Sequence, residues 1–171
     1  MPAQPPRIKR DKVMDVNTPT LVADTSLVTL LSKHSQPHLC IQDETLFSQG
    51  ESPDAVYLLE DGQVTLTSDA AGEECIYARQ SLPGSIFGLP GVISNAPYSL
   101  TATATSGTHL QMIPRETFQH LLSTHPEISF QALRILAAEV QTARRIVQKT
   151  IASEVHSHRS GRSRASHSVS H

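Results

Sequence analysis

The chain has 171 residues, of which 38% are apolar, and a formal net charge of −2, which suits one domain with a buried core. A charge this close to zero gives no electrostatic footprint for nucleic acid over the whole chain, although the last stretch is locally basic, and two cysteines are too few for a disulfide framework. No apolar run approaches the length of a signal peptide or a membrane span, so we expect no membrane segment and a cytoplasmic location.

The two ends of the chain differ in composition from the middle. Prolines gather in residues 1–19, and serine, arginine and histidine gather after Ser153. Such compositions predict poorly ordered segments. We therefore divide the chain into an extended leader at 1–23, a folded domain at 24–152 and a disordered tail at 153–171.

A short helix is predicted where the leader ends. Residues 24–26, Asp-Thr-Ser, offer N-cap side chains. An apolar helical spacing follows at Leu27, Leu30 and Leu31. We expect this helix to end near Pro37, because proline lacks the N–H that a helix interior needs.

From Leu39 to Pro114 the apolar spacing changes to a period of two, which is typical of β-strands. Asp61-Gly62 is the clearest turn signal in this region, and Ser106-Gly107 is a second one. Turn signals at intervals of about ten residues have the rhythm of hairpins in an all-β sandwich or barrel. The glycines that set the rhythm are Gly50, Gly62, Gly72 and Gly84.

Helical spacing resumes after Pro114, with Phe118, Leu121 and Leu122 on one side. It breaks at residues 125–126, His-Pro, where the proline can occupy the first turn of another helix.

The last predicted helix carries a narrow apolar seam with alternating spacings of three and four residues. Its members are Leu133, Leu136, Val140, Ala143, Val147 and either Thr150 or Ile151. A helix of roughly 25 residues is about 38 Å long at 1.5 Å per residue, more than a small β domain covers. We therefore predict that the seam pairs with the same helix of a second copy, giving a homodimer; the alternative is that it packs on its own β domain.

Several motifs occur in a fixed order along the chain: Phe47-x-x-Gly50, Tyr57-x-Leu59-x-x-Gly62, Pro83-Gly84-x-x-Phe87-Gly88, Ile113-Pro114-Arg115-Glu116-x-Phe118 and His125-Pro126-Glu127-Ile128. Together they resemble the sensor domain of the catabolite activator protein (Crp/Fnr) family, also called the cyclic nucleotide-binding domain. The resemblance covers about residues 24–152. It implies a mainly β fold with flanking helices, in which a double-stranded β-helix (jelly roll) precedes a long C-terminal dimerisation helix.

In that family a phosphate-binding cassette runs from a Phe-Gly-Glu turn through a one-turn helix to an arginine followed by Ser, Thr or Ala. The corresponding segment here is 87–99, in which Gly88 permits close approach to a ligand and Pro90 suits the start of the short helix. Leu89 stands where the resemblance implies a ribose-binding Glu, and Tyr98 stands where it implies the phosphate-neutralising Arg. Losing two charge-assisted hydrogen bonds is expected to weaken cyclic nucleotide binding by about two to four orders of magnitude.

The candidate ligand-binding residues are Phe87, Gly88, Leu89, Val92, Tyr98, Ser99, Leu100 and, from the long helix, Arg144. An apolar wall with a few polar groups beside it is predicted from Leu89, Val92, Ile93, Tyr98 and Leu100. This pattern leaves three readings open: a changed small ligand, a cyclic nucleotide, or a roll filled by its own side chains. We assign no cofactor with certainty.

The resemblance implies a non-enzymatic regulatory or sensor module that dimerises. Residues 153–171 have no apolar periodicity for a helix-turn-helix, so we expect no sequence-specific DNA binding by this chain alone. The alternative function is a ligand-free scaffold that acts by protein–protein contact, including heterodimers with DNA-binding relatives.

We also expect no catalysis and no metal site. Metal chemistry in related β-rolls needs two or three histidines on adjacent strands, and only His38 and His109 lie near predicted strands. Two cysteines exclude an iron–sulfur cluster by count, and the histidines of 153–171 match no defined zinc spacing. Haem binding through Cys40, His34 or His38 stays an alternative without a motif.

Overall fold

The computed structural model describes residues 22–70 and 73–137. In chain order, the elements are α1 (Thr25–Lys33), β1 (Gln36–Leu39), β2 (Glu44–Phe47), β3 (Ala55–Asp61), β4 (Val64–Ala70), β5 (Glu73–Gln80), β6 (Ile86–Phe87), α2 (Leu89–Ser94), β7 (Thr101–Ala104), β8 (His109–Pro114) and α3 (Arg115–Thr124). A further helix, α4, occupies 126–137, where the described part of the chain ends. None of the helices in these residues is long and apolar enough to cross a membrane.

The strands of the described residues form two four-stranded antiparallel sheets. The first has the order β1-β8-β3-β6 and the second the order β2-β7-β4-β5. Inner-facing side chains of both sheets share one buried apolar cluster, as in a jelly roll. The predicted fold, mainly β with flanking helices, is confirmed.

A second apolar core lies between the first sheet and the helices. Strand β3 serves both cores, because successive residues of a strand point to opposite faces. Tyr57 and Leu59 point into the roll, whereas Val56 and Leu58 point to the helical layer. Both faces of β3 are therefore buried, which explains its nearly continuous run of apolar residues.

Helix α1 begins where the sequence predicted it. The carboxylate of Asp24 accepts a hydrogen bond from the backbone N–H of Leu27 at 2.9 Å, and this bond is the main cause that lowers the pKa of Asp24. Just before it, Val22 forms an isolated β-bridge with Ser85, and Ala23 is buried. The described fold thus includes two residues that we had assigned to the leader; residues 1–21 lie outside the described part.

The hairpin interpretation of the two clearest turns is wrong. Gly62 links β3 to β4 and Gly107 links β7 to β8, and in each case the two strands belong to different sheets. The two crossings lie side by side, because the N–H of Thr105 donates to the carbonyl of Gln63 at 3.0 Å. Gln63 in turn donates its N–H to Oγ1 of Thr108 at 3.2 Å. These turns therefore close the roll instead of pairing neighbouring strands.

Helices α3 and α4 cover the outer face of the first sheet. Phe118 and Leu121 of α3 are buried as predicted. The buried residues of α4 are Ile128, Ala132 and Ile135, whereas Leu133 of the predicted seam is 63% exposed. The seam residue Leu136 is partly buried against this core. The remaining seam positions, Val140, Ala143, Val147, Thr150 and Ile151, lie outside the described residues, so the homodimer stays a prediction.

The closing turns give a first testable prediction. A Cβ added at Gly62, where φ is +101°, would lie 2.5 Å from Oγ1 and 2.7 Å from Cα of Thr108. We expect Gly62→Ala to lower the free energy of unfolding by at least about 3 kcal/mol, because it adds a backbone clash to left-handed strain. Urea unfolding followed by circular dichroism measures this value.

Gly107→Ala is the matched control. Gly107 has a similar φ of +83°, but nothing lies within 4 Å of its added Cβ. It should lower the free energy of unfolding by only about 1–2 kcal/mol, the strain alone. Equal losses for the two variants would contradict the role given to the Gly62–Thr108 contact.

Candidate functional site

The backbone of the cassette has the conformation that its sequence predicted. Gly88 is the N-cap of α2 with φ +82°, in the left-handed region that favours glycine, and Pro90 lies in the first turn of the helix. The helix is short and ends at Ser94, and its C-cap residue Asn95 has a φ of +54°. A turn and a one-turn helix therefore follow β6, as in the family that the sequence resembles.

The space beside this backbone is filled by Tyr98. A Cβ added at Gly88 would lie 3.1 Å from Cε1 of Tyr98, and one added at Gly91 would lie 3.1 Å from Cδ1 of the same ring. The two glycines thus let the tyrosine ring lie directly on the cassette backbone. The close approach that we had assigned to a ligand is made by the protein's own side chain.

The ring of Tyr98 is also held from its other side. It stacks on the ring of Phe47, with 4.1 Å between centroids and 22° between planes. Phe47 in turn lies 5.9 Å from the ring of Tyr57. These aromatic side chains, which we call the aromatic cluster, occupy the end of the roll next to the cassette. Only 4% of Tyr98 is exposed.

The hydroxyl of Tyr98 is fully paired inside the protein. It donates to the carbonyl of Ala55 at 2.8 Å, with Oδ1 of Asp54 at 3.0 Å as a second acceptor. It accepts from the backbone N–H groups of Asp54 at 3.1 Å and Ala55 at 3.3 Å. Burial raises the pKa of this hydroxyl above its ordinary value of 10.0. At neutral pH, Tyr98 is therefore an uncharged, hydrogen-bonded part of the fold.

The backbone of Tyr98 is fixed as well. Its N–H donates to the carbonyl of Glu51 at 2.9 Å, and its carbonyl accepts from the N–H of Gly50 at 2.8 Å. The end of the cassette is thereby tied to the loop between β2 and β3. Movement of the tyrosine away from the site would have to break these bonds or rotate the side chain out of its stack.

The cavity that remains at the cassette has a volume of about 30 Å³. This is room for about one water molecule, whereas pockets for small organic ligands measure roughly 300–1,000 Å³. Of the predicted binding residues, Phe87, Gly88, Tyr98, Ser99 and Leu100 line the cavity. They meet at one place as expected, but they enclose too little space for a nucleotide.

Leu89 and Val92 do not line this cavity, which corrects the expected wall. Both are buried in the outer core between the first sheet and the helices, with 1% and 0% exposed. They lie on the side of α2 that faces α3, where Nε2 of Gln119 donates to the carbonyl of Val92 at 3.2 Å. The remaining candidate, Arg144, lies outside the described residues.

A second group of chemically active side chains lies at the junction of β1 and β2. Nε2 of His38 is 3.0 Å from Oε1 of Glu44, and the sulfur of Cys40 lies within 4.8 Å of both ligand atoms. Burial, and then the negative charge of Glu44, raise the pKa of the Cys40 thiol from 9.0 to about 11. We call these three residues the β1–β2 cluster.

Two of the three residues of this cluster were identified from the sequence. His38 and Cys40 were noted as alternatives for haem, but Glu44 was missed. The available signal was the spacing: His38 and Cys40 are two residues apart at the end of a strand, and a glutamate opens the next strand after a four-residue connection, 40–43. His34 is not part of the cluster, because it caps the C-terminus of α1.

Comparison with known proteins agrees with the fold. The family described as cyclic nucleotide-binding domain matches residues 41–125. The CRP-like cAMP-activated global transcriptional regulator of Mycobacterium tuberculosis is 27% identical over 119 residues, which are 69% of this chain and 53% of that protein. The cAMP-dependent protein kinase regulatory subunit of Yarrowia lipolytica is 32% identical over 87 residues, which are 51% of this chain and 22% of that protein.

Among solved structures, the catabolite activator protein of Thermus thermophilus superposes with a TM-score of 0.59 at 27% identity. The match covers 78% of this chain and 60% of that one. The chain spans about half the length of the bacterial regulator that it matches. The jelly roll, the cassette after β6 and these likenesses together show that residues 41–125 belong to the cyclic nucleotide-binding domain family, which this chain shares with the catabolite activator proteins.

Proposed function

We propose that the chain is a non-enzymatic regulatory module of the Crp/Fnr type in which Tyr98 occupies the nucleotide site, so that the module acts through protein contacts. The observation that carries this proposal is the position of the Tyr98 ring, which lies on the backbone of Gly88 and Gly91. It favours the scaffold alternative over a sensor of cAMP or cGMP.

The closed site opposes any ligand that needs the same space. Such a ligand has to displace a ring that is 4% exposed and stacked on Phe47, and to break the hydrogen bonds of the Tyr98 hydroxyl. The burial of an aromatic ring and one net hydrogen bond together stabilise the closed site by about 3 kcal/mol. If opening costs this much, a ligand binds about 100-fold more weakly than to an open site.

The charges at the site also disfavour a cyclic phosphate. No residue in 87–99 carries a charged side chain. The nearest carboxylate to the hydroxyl of Tyr98 is that of Asp54, 3.0 Å away. An anion at this position would gain no cation from the cassette and would be repelled by Asp54.

The face of α4 that remains exposed supports the protein-contact part of the proposal. Phe130 is 66% exposed and Leu133 is 63% exposed, and a spacing of three residues places them on one side of the helix. Large apolar side chains that share an exposed helix face favour association with a partner helix. We propose a homodimer through this face and the predicted seam. A DNA-binding relative as the partner is the alternative that hetero-association tests.

A sensor for a different small ligand is the second candidate function. One observation favours it: the cavity still borders the Gly88 turn and Ser99, so polar groups lie beside the apolar surface of Leu100. A ligand of this kind would have to move Tyr98. Such a sensor therefore differs from the first proposal in one measurable respect, since its ligand changes the environment of the tyrosine ring.

Isothermal titration calorimetry with cAMP and cGMP tests the closed site. We expect no saturable binding to the wild type or to Tyr98→Phe, which keeps the ring in place. Tyr98→Arg removes the ring and supplies a cation, so we expect saturable binding of cyclic nucleotide to this variant. Saturable binding to the wild type at micromolar concentration would refute the proposal.

Leu89→Glu, which would supply the glutamate that the family resemblance implies, is not a suitable variant for this test. Leu89 is buried in the outer core, so the substitution would place a carboxylate among apolar side chains. A failure to bind would then report an unfolded protein and not an unsuitable site.

Alkaline pH tests the hydrogen-bonded state of Tyr98. A raised pKa in the folded state means that this group's contribution to stability is complete below about pH 10, and is lost as the pH rises from 10 toward the folded-state value. We expect the free energy of unfolding, measured in urea from about pH 8 to 11, to fall less steeply above pH 10 in Tyr98→Phe than in the wild type. Parallel curves would show that Tyr98 is not buried as described.

Light scattering after size exclusion tests the dimer. We expect the wild type to have twice the chain mass of 18.6 kDa, and Leu133→Asp and Val140→Asp to shift it toward the monomer, since each places a charge in the seam. Arg134→Asp is the matched control, because Arg134 is exposed on the same helix but outside the seam. A monomeric wild type, or a dimer unchanged by both seam variants, would disprove this interface.

A further inference from the structure

The β1–β2 cluster brings three different ligand atoms to one point. Its imidazole nitrogen comes from His38 on β1, its sulfur from Cys40 just after that strand, and its carboxylate oxygen from Glu44 at the start of β2. All three atoms lie within 4.8 Å of one another, and the nitrogen and the oxygen are 3.0 Å apart. The regulatory function proposed above makes no use of this cluster.

The backbone that carries these residues is held in place. Cys40 donates its N–H to the carbonyl of Thr108 at 3.0 Å and accepts from the N–H of Gly107 at 2.7 Å. In the loop between the ligands, Oδ1 of Asp43 accepts from the N–H of Ser106 at 2.8 Å, and Oγ of Ser106 donates to the carbonyl of Ile41 at 3.1 Å. Ligands on a fixed backbone lose little freedom when they bind an ion.

The burial of the three side chains gives the cluster an inner and an outer side. Cys40 is fully buried, whereas the side chains of His38 and Glu44 are 33% and 38% exposed. An ion can therefore enter from solvent between the imidazole and the carboxylate, with the sulfur beneath it. The same opening leaves one coordination position for a water molecule.

We propose that His38, Cys40 and Glu44 bind a divalent transition-metal ion of the zinc class. Nitrogen, thiolate and carboxylate are ligands that Zn²⁺ accepts, and three protein ligands with a water complete its usual tetrahedron. Bond lengths of about 2.0–2.3 Å require ligand atoms roughly 3.3–3.8 Å apart, so shifts of about 1 Å are sufficient. On binding, the Cys40 thiol loses its proton to solvent as the metal–sulfur bond forms.

The charge of this ligand set matches the ion. A thiolate and a carboxylate together carry two negative charges, and a neutral imidazole adds none. The ligands themselves therefore neutralise the charge of a divalent ion. A partly buried position requires such neutralisation, because an unpaired charge there is costly. Without the ion, the hydrogen-bonded pair of His38 and Glu44 beside a protonated thiol accounts for the same geometry. The experiment has to separate these two cases.

Titration of the full-length chain with Co²⁺, a spectroscopic substitute for Zn²⁺, separates them. Only a cysteine ligand gives a thiolate-to-cobalt charge-transfer band, and the chain has two cysteines, Cys40 and Cys75. We expect the band to saturate at one Co²⁺ per chain and to disappear when Zn²⁺ is added. It should be lost in Cys40→Ser and kept in Cys75→Ser, the matched control.

Two milder variants keep the proposal testable if Cys40→Ser does not fold. His38→Gln and Glu44→Gln change partly exposed side chains, and we expect each to weaken Zn²⁺ binding in equilibrium dialysis by at least about tenfold. His109→Gln, an exposed histidine on β8, should leave the affinity unchanged. The absence of a band in the wild type, or a band that survives Cys40→Ser in folded protein, would overturn the proposal.

Discussion

The contact between Tyr98 and the cassette determines how much space remains at the candidate site. Gly88 and Gly91 leave room for the ring, Phe47 stacks on it, and the backbone of Asp54 and Ala55 pairs its hydroxyl. The Tyr98 ring thus makes this segment part of the hydrophobic core. The fold of the family is kept, and the cavity that remains at the cassette has a volume of about 30 Å³.

Strand β2 links the two sites of the roll. Its first residue, Glu44, belongs to the β1–β2 cluster, and its last residue, Phe47, carries the stack on Tyr98. A change of register between Thr45 and Phe47 in the pairing with β7 separates these two ends. A displacement of β2 at Glu44 would therefore involve the same strand that stacks on Tyr98 through Phe47.

Local signals in the sequence were sufficient for α1 and α3 but not for the strand connections. Asp24 capped α1, and Phe118 with Leu121 fixed the buried side of α3, because capping and periodicity depend on neighbouring residues. Gly62 and Gly107 reversed the chain as expected, but the sheet that the next strand joined depended on contacts between distant residues. Turn chemistry alone does not determine that choice.

In the candidate site, too, features that depend on single residues were predicted, whereas features that depend on distant residues were not. The sequence predicted the Gly88 turn and the missing arginine at Tyr98, since both follow from single residues in a motif. It left open whether Tyr98 fills the site or leaves room for a ligand, because Phe47 and Ala55 lie more than 40 residues away along the chain. The six residues of α2 were also too few to show by periodicity that Leu89 and Val92 face the helices.

A residue-resolved NMR titration of the ¹⁵N-labelled chain with cAMP tests most directly whether Tyr98 closes the cassette. If Tyr98 closes the cassette, the amide signals of Gly88, Gly91 and Ser99 will keep their positions throughout the titration. Saturable shifts of these three signals, with a change in the ring signals of Tyr98, would contradict the account and show that the site opens for a nucleotide.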